Sequence, residues 1–134
     1  MRVALILTAV VLITGCSKPP TSMDVCKKLE EAKIATACVQ STPSGLGAGA
    51  REKVDFDLPS VPGQGGQVMA FDRDDMYDHA VKSYLQAVLL AGKHQYGNPK
   101  KRIFVQLNKG ASNEVGDQTR DIVNGLLAAE DRRP

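Results

Sequence analysis

The chain has 134 residues, 43% of them hydrophobic, 24% charged and only 4% aromatic, with no tryptophan. That length suits one domain with a modest aliphatic core, and six aromatic residues leave little material for an aromatic ligand cage. Seventeen Lys and Arg against 15 Asp and Glu give a formal charge of +2, which gives no push toward nucleic acid.

Arg2 opens the chain with a positive charge, and Val3 through Ile13 form an apolar stretch interrupted only by Thr8. Its length fits the apolar core of a signal peptide and stops well short of the roughly 20 residues a spanning helix needs. Leu12-Ile13-Thr14-Gly15-Cys16 follows directly. This run resembles the lipobox of bacterial lipoproteins, and the resemblance covers residues 1 to about 20. It implies removal of residues 1–15, a diacylglycerol on the Cys16 thiol and a further amide-linked chain, so that the membrane is a partner through N-terminal lipid. Each buried CH₂ contributes about 0.8 kcal/mol and one chain holds only marginally, so several chains should anchor firmly. Ser17 stands where an aspartate would signal inner-membrane retention in a bacterium with two membranes. The resemblance therefore implies the outer membrane, periplasmic face. The mature chain of 119 residues would carry 16 basic and 15 acidic groups, a balance of +1.

Two cysteines remain, Cys26 and Cys38, and an even pair in an exported chain predicts a disulfide. Closing so short a loop is worth about 3 kcal/mol in the chain-entropy model. The alternatives are free thiols, a metal pair or a redox couple. The spacing is too wide for Cys-x-x-Cys, and no histidine lies nearby.

Residues 16–22, with Pro19-Pro20, read as a short extended tether. Thr21 or Ser22 caps a predicted helix to about Lys33, with Val25, Cys26, Leu29 and Ala32 on one face. A short strand is expected over 35–40, then a glycine-rich loop over 41–50. Lys53 to Leu58 alternates cleanly, with Val54, Phe56 and Leu58 facing one way, as a half-buried strand does. A Pro/Gly loop over 59–66 leads to a strand over 67–71. Asp72 or Asp74 opens what reads as the longest helix, running to Ala91 with Gly92 as its stop. Its stripe is Tyr77, Val81, Tyr84 and Val88, widened by Ala80, Leu85 and Leu89.

Residues 93–101 read as a polar loop and 102–107 as a strand buried on both sides, since Phe104 lies opposite Ile103, Val105 and Leu107. The last helix has Val115, Thr119, Ile122, Val123 and Leu126 as its stripe. Gly116 and Gly125 each weaken it by about 1 kcal/mol, with Gly125 expected to allow close packing on the sheet. The prediction is an α+β domain over residues 23–131, order αβββαβα. It has a small, mainly antiparallel sheet of about four strands, about three helices mainly on one face, and a disordered tail at 132–134.

Gly45-Leu46-Gly47-Ala48-Gly49 superficially resembles a nucleotide loop, but its third glycine comes one residue early and a strand follows. Asp72, Asp74, Asp75 and Asp78 gather acid at a helix start. Met76 and Tyr77 stand where a calcium loop needs ligands, so dipole and capping roles are the better reading. His79 and His94 lack ligand spacing, so no metal or cofactor is expected. No serine-hydrolase motif occurs. Lys93, His94, Lys100, Lys101 and Arg102, with Tyr96 among them, form the one local basic patch, a candidate contact for lipid phosphate or peptidoglycan carboxylates.

The expectation is a lipid-anchored cell-envelope protein acting as a non-enzymatic binding or scaffold module. Its partner would be an envelope protein or a cell-wall polymer, and no nucleic acid. The alternatives are a small-ligand binder or enzyme whose glycine-rich loops, 45–49 and 63–66, border a cleft, and an inhibitor or immunity-type lipoprotein. A pocket lined by His79, His94 or the Asp72–Asp78 acids would favour the small-ligand reading.

Overall fold

The computed structural model describes residues 19–128. The expected signal peptide, Cys16, the start of the expected tether and the expected tail at 132–134 lie outside them. Helix α1 (Ser22–Glu31) is followed by strands β1 (Thr36–Ser41), β2 (Glu52–Asp57) and β3 (Gly65–Ala70). Helices α2 (Asp74–Gln86) and α3 (Val88–Ala91), strands β4 (His94–Asn98) and β5 (Ile103–Leu107) and helix α4 (Asn113–Ala128) complete the order. A short 3-10 turn, Gly45–Gly47, lies between β1 and β2. The protein is α+β, with a five-stranded antiparallel sheet in the order β1-β2-β3-β5-β4. Among the described residues, the helices and strands, both apolar clusters and the disulfide lie between residues 21 and 128.

Strand β4 replaces the polar loop expected over 93–101. His-Gln-Tyr-Gly-Asn carries no run of apolar residues because its buried side chains are satisfied by hydrogen bonds. Asn98 Nδ2 donates to the Val123 carbonyl at 2.9 Å, and a His94 ring nitrogen lies 2.9 Å from the Ala111 carbonyl. The chain thus leaves β3, crosses through α2 and α3 to the sheet edge, and returns as β5 between β3 and β4.

The helices divide between the faces rather than gathering on one. Helices α1 and α4 cover one face. Val25, Leu29, Val123 and Leu126 pack there on Val54, Phe56, Val68, Ile103, Val105 and Leu107. Helix α2 covers part of the other, where Tyr77, Ala80 and Tyr84 meet Met69, Phe71 and Phe104. All five residues of β5 are buried, as the two-sided reading of Phe104 requires.

Helix α1 starts with a capping box. Thr21 Oγ1 accepts from Asp24 N–H at 3.1 Å, and the Asp24 carboxylate accepts from Thr21 N–H at 3.0 Å. It ends at Glu31, two residues before the expected Lys33. There Lys33 takes a left-handed φ of 59°, and Ile34 N–H returns to the Leu29 carbonyl at 2.9 Å. Cys26 and Cys38 form the disulfide, joining α1 to β1 with Cα atoms 6.2 Å apart. Register in β1 shifts between Thr36 and Val39, and Ala37 has φ 55°. This bulge bends the strand at Cys38.

The helix predicted to run from Asp72 or Asp74 to Ala91 breaks at Ala87 (φ −97°, ψ 24°), so α4, with 16 residues, is the longest among the described residues. Unbroken, it would span about 27 Å. Strands of five or six residues span only about 16–20 Å. In the last turn Ala91 still packs against the cluster on this face, but Leu85, Val88 and Leu89 of the expected stripe are exposed. Carbonyls freed at the break and at the end of α3 find new donors. Gln95 Nε2 donates to the carbonyls of Tyr84 and Gly92, each at 2.9 Å, and Gln106 Nε2 to that of Ala91.

In α4, Thr119, Val123 and Leu126 are buried as the stripe predicts. The close approach falls at Gly116 instead of Gly125. A Cβ at Gly116 would lie 2.4 Å from His94 Nδ1 and 2.5 Å from Tyr96 Oη, whereas one at Gly125 would meet nothing within 4 Å.

Candidate functional site

Strand β4 separates the residues of the basic patch. Lys93 and His94 stand at its start, and Lys100, Lys101 and Arg102 in the turn beyond its end, roughly 15 Å away at strand rise. His94 is 7% exposed, with Nδ1 2.9 Å from Tyr96 Oη and Nε2 2.9 Å from the Ala111 carbonyl. It is a packed histidine beneath α4. Lys93 donates to Asn113 Oδ1 at 3.0 Å.

The other half of the patch meets the acids of α2. Phe71 N–H donates to the Arg102 carbonyl at 3.0 Å, bringing the start of α2 beside the β4–β5 turn. Asn98 shapes that turn, accepting from Lys101 N–H at 3.1 Å while its amide holds α4. Arg102 adopts a left-handed φ of 53°. The result is a cleft of about 510 Å³, lined by Asp74, Tyr77 and Asp78 on one wall and Pro99, Lys100 and Arg102 on the other.

Arg102 Nη1 donates to Asp74 at 3.3 Å, an exposed pair of small energetic weight. Its Nε is buried without a hydrogen-bond partner among the described residues. Among the described residues, neither Lys100 nor Asp78 makes an ion pair, although they share the cleft. The remaining acids are engaged elsewhere. Asp72 accepts from Arg51 at 2.8 Å. Asp75 pairs with Arg73, whose hydrogen bonds hold its carboxyl below the usual range.

Asp74 and Asp75 occupy the first turn of α2, as the dipole argument predicts, whereas Asp72 precedes the helix and Asp78 lies in its second turn. The N-cap itself is Arg73, which makes no side-chain cap. Tyr77 lies against Gly97, where a Cβ would stand 2.1 Å from the phenolic oxygen. Burial, then the charge of Asp78, pushes the Tyr77 phenol up to about 12.

The two glycine-rich loops border separate depressions. Gly63–Gly66 edges a polar groove of about 360 Å³ with Asp55, Asp57, Gln67, Gln106 and Asn108. Here Gln67, Gln106 and Gln95 stand in register across β3, β5 and β4. Gln67 Nε2 donates to Tyr84 Oη at 2.7 Å and to Gln106 Oε1 at 3.1 Å. The 45–49 loop edges a smaller hollow of about 220 Å³ against Met76, His79 and Ser83 of α2.

At the far end of α2, Leu89 and Leu90 are 81% and 87% exposed, with Leu85 and Val88 beside them. Among the described residues, no cluster of three His, Cys, Asp or Glu is placed to hold a metal, and no helix is long and apolar enough to cross a membrane.

Comparison with known protein families, curated proteins and solved structures finds no match to this chain. Sequence reasoning found the basic residues and the acids separately but not their junction. Tyr77 read as an ordinary member of an apolar stripe. The missing signal was β4, whose end carries Lys100 and Arg102 to the start of α2.

Proposed function

We infer that the protein is a lipid-anchored cell-envelope module that acts by binding, held through Cys16 at the periplasmic face of the outer membrane. The observation that carries the binding role is the mixed-charge cleft between α2 and the β4–β5 turn. It presents unpaired groups of both signs over a buried phenol and a proline. Such a surface supplies hydrogen bonds and charge for recognition. A cell-wall polymer, rich in carboxylates and amines, is the partner this chemistry suits.

Co-sedimentation with purified peptidoglycan sacculi tests the binding. The protein should pellet with sacculi, and the double variant Lys100→Gln with Asp78→Asn should remain in the supernatant. Equal pelleting of both would remove the cleft from the account. Intact-mass spectrometry of protein from bacterial membranes tests the anchor, which requires a chain starting at Cys16 with acyl groups added.

The exposed leucines of α3 favour a second reading, in which the partner is an envelope protein that covers them. Loss of a stoichiometric complex on Leu89→Gln, with sacculus binding intact, would select it.

A further inference from the structure

The cleft is electrically balanced but internally polarised. Asp74 and Asp78 sit on the α2 wall and Lys100 and Arg102 on the turn wall. An anion alone would gain from one wall and be repelled by the other, and a simple cation likewise. The two groups without ion pairs, Lys100 and Asp78, lie in the same cleft yet too far apart to pair with each other. Arg102 is held toward the cleft by its pair with Asp74. The Tyr77 ring adds apolar surface to the α2 wall and Pro99 to the turn wall.

Resting on the reading that this cleft binds, we propose that it takes a small zwitterion of the amino-acid or short-peptide class. The ligand's carboxylate would lie on Lys100 and Arg102, and its ammonium on Asp78. Each end makes a charge-assisted hydrogen bond that a blocked end cannot make. No covalent chemistry is involved.

Chemical-shift titration of the oxidised chain from residue 17 onward tests this, since that chain carries every helix, strand and apolar cluster described above. The probes are alanyl-alanine, its N-acetyl derivative and its C-terminal amide. Alanyl-alanine should move the amide signals of Tyr77, Asp78, Lys100 and Arg102 saturably. Each blocked form should bind about tenfold more weakly or worse, the scale set by one charge-assisted hydrogen bond. Asp78→Asn should abolish discrimination against the acetylated probe, and Lys100→Gln discrimination against the amide, with the melting midpoint unchanged.

Equal affinity for all three probes would overturn the proposal. So would shifts centred on Gln67 and Gln106, or the absence of any saturable shift. Sacculus binding that persists without dipeptide binding would discard the ligand class while leaving the wider proposed function standing.

Discussion

The sheet face under α1 and α4 is closed by mainly aliphatic side chains of β2, β3 and β5, with Tyr96 of β4 packed against them and the disulfide at the β1 margin. The face under α2 is closed only over Met69, Phe71 and Phe104. Beyond them lie the glutamine row, the polar groove and the charged cleft. One layer therefore holds the fold together, while the other divides its area between packing and accessible polar chemistry. The smaller cluster contains four of the chain's six aromatic residues: Phe71, Tyr77, Tyr84 and Phe104. Large rings compensate for a short contact.

That contrast makes Phe104→Ala the most damaging simple truncation. The ring is 1% exposed and packs on Tyr84 with centroids 5.2 Å apart. Removing it should cost about 3–5 kcal/mol by cavity formation, read as a lowered midpoint in denaturant. A loss below about 1 kcal/mol would mean that the α2 layer contributes little, and that the α1–α4 layer suffices alone.

Next in size is the bridge. Cys38→Ser should cost about 3 kcal/mol. Reductant should lower the wild-type midpoint to meet the variant and leave the variant unmoved. This was the most legible tertiary contact, because with Cys16 set aside for lipid the two remaining cysteines admit one intramolecular pairing. The alternating strand around Val54 and Phe56 and the α4 stripe were equally legible, since each buries one periodic face. Strand β4 and the break at Ala87 were not. Both depend on hydrogen bonds from Gln95, Gln106, His94 and Asn98 to backbone atoms distant in sequence, and local hydrophobic period carries no trace of them. The candidate cleft was hidden for the same reason, being made where β4 ends.

Gly116 and Gly125 give a smaller, signed test on the α4 side. Gly116→Ala drives a methyl into His94 and Tyr96 and should destabilise by about 1–3 kcal/mol. Gly125→Ala enters open space and should stabilise by up to about 1 kcal/mol through helix propensity. Thermal melts of the pair should move in opposite directions. Movement in the same direction would show that α4 seats differently over β4.

The phenols sharpen the picture of the α2 face. Burial raises the Tyr77 phenol to about 12, and also raises Tyr84 and Tyr96 above their ordinary value. Between about 10 and 12 the folded chain then holds protons that the unfolded chain has released. Stability from these phenols is fully present below pH 10 and falls as pH rises toward 12. Asp78→Asn removes the second cause of the Tyr77 shift and should lower its titration midpoint while leaving burial to hold it above 10. Ultraviolet titration of tyrosinate reads this directly. A midpoint unchanged by Asp78→Asn would detach the acid from the phenol, and with it the picture of one continuous charged wall.

The smallest expected effect belongs to the leucine turn. Leu89 is 81% exposed, so Leu89→Gln removes almost no buried surface. Its midpoint should stay within about 0.5 kcal/mol of wild type, the usual range for surface substitutions. The contrast with Phe104 follows from helix length. Up to Tyr84 the helix has sheet beneath it, and each inward residue is buried. Past Ala87, Ala91 turns back against that cluster while Leu89 and Leu90 are left in solvent. A loss at Leu89 approaching that of Phe104 would require α3 to pack on something besides the sheet, and would extend the closed part of this face beyond the last glutamine.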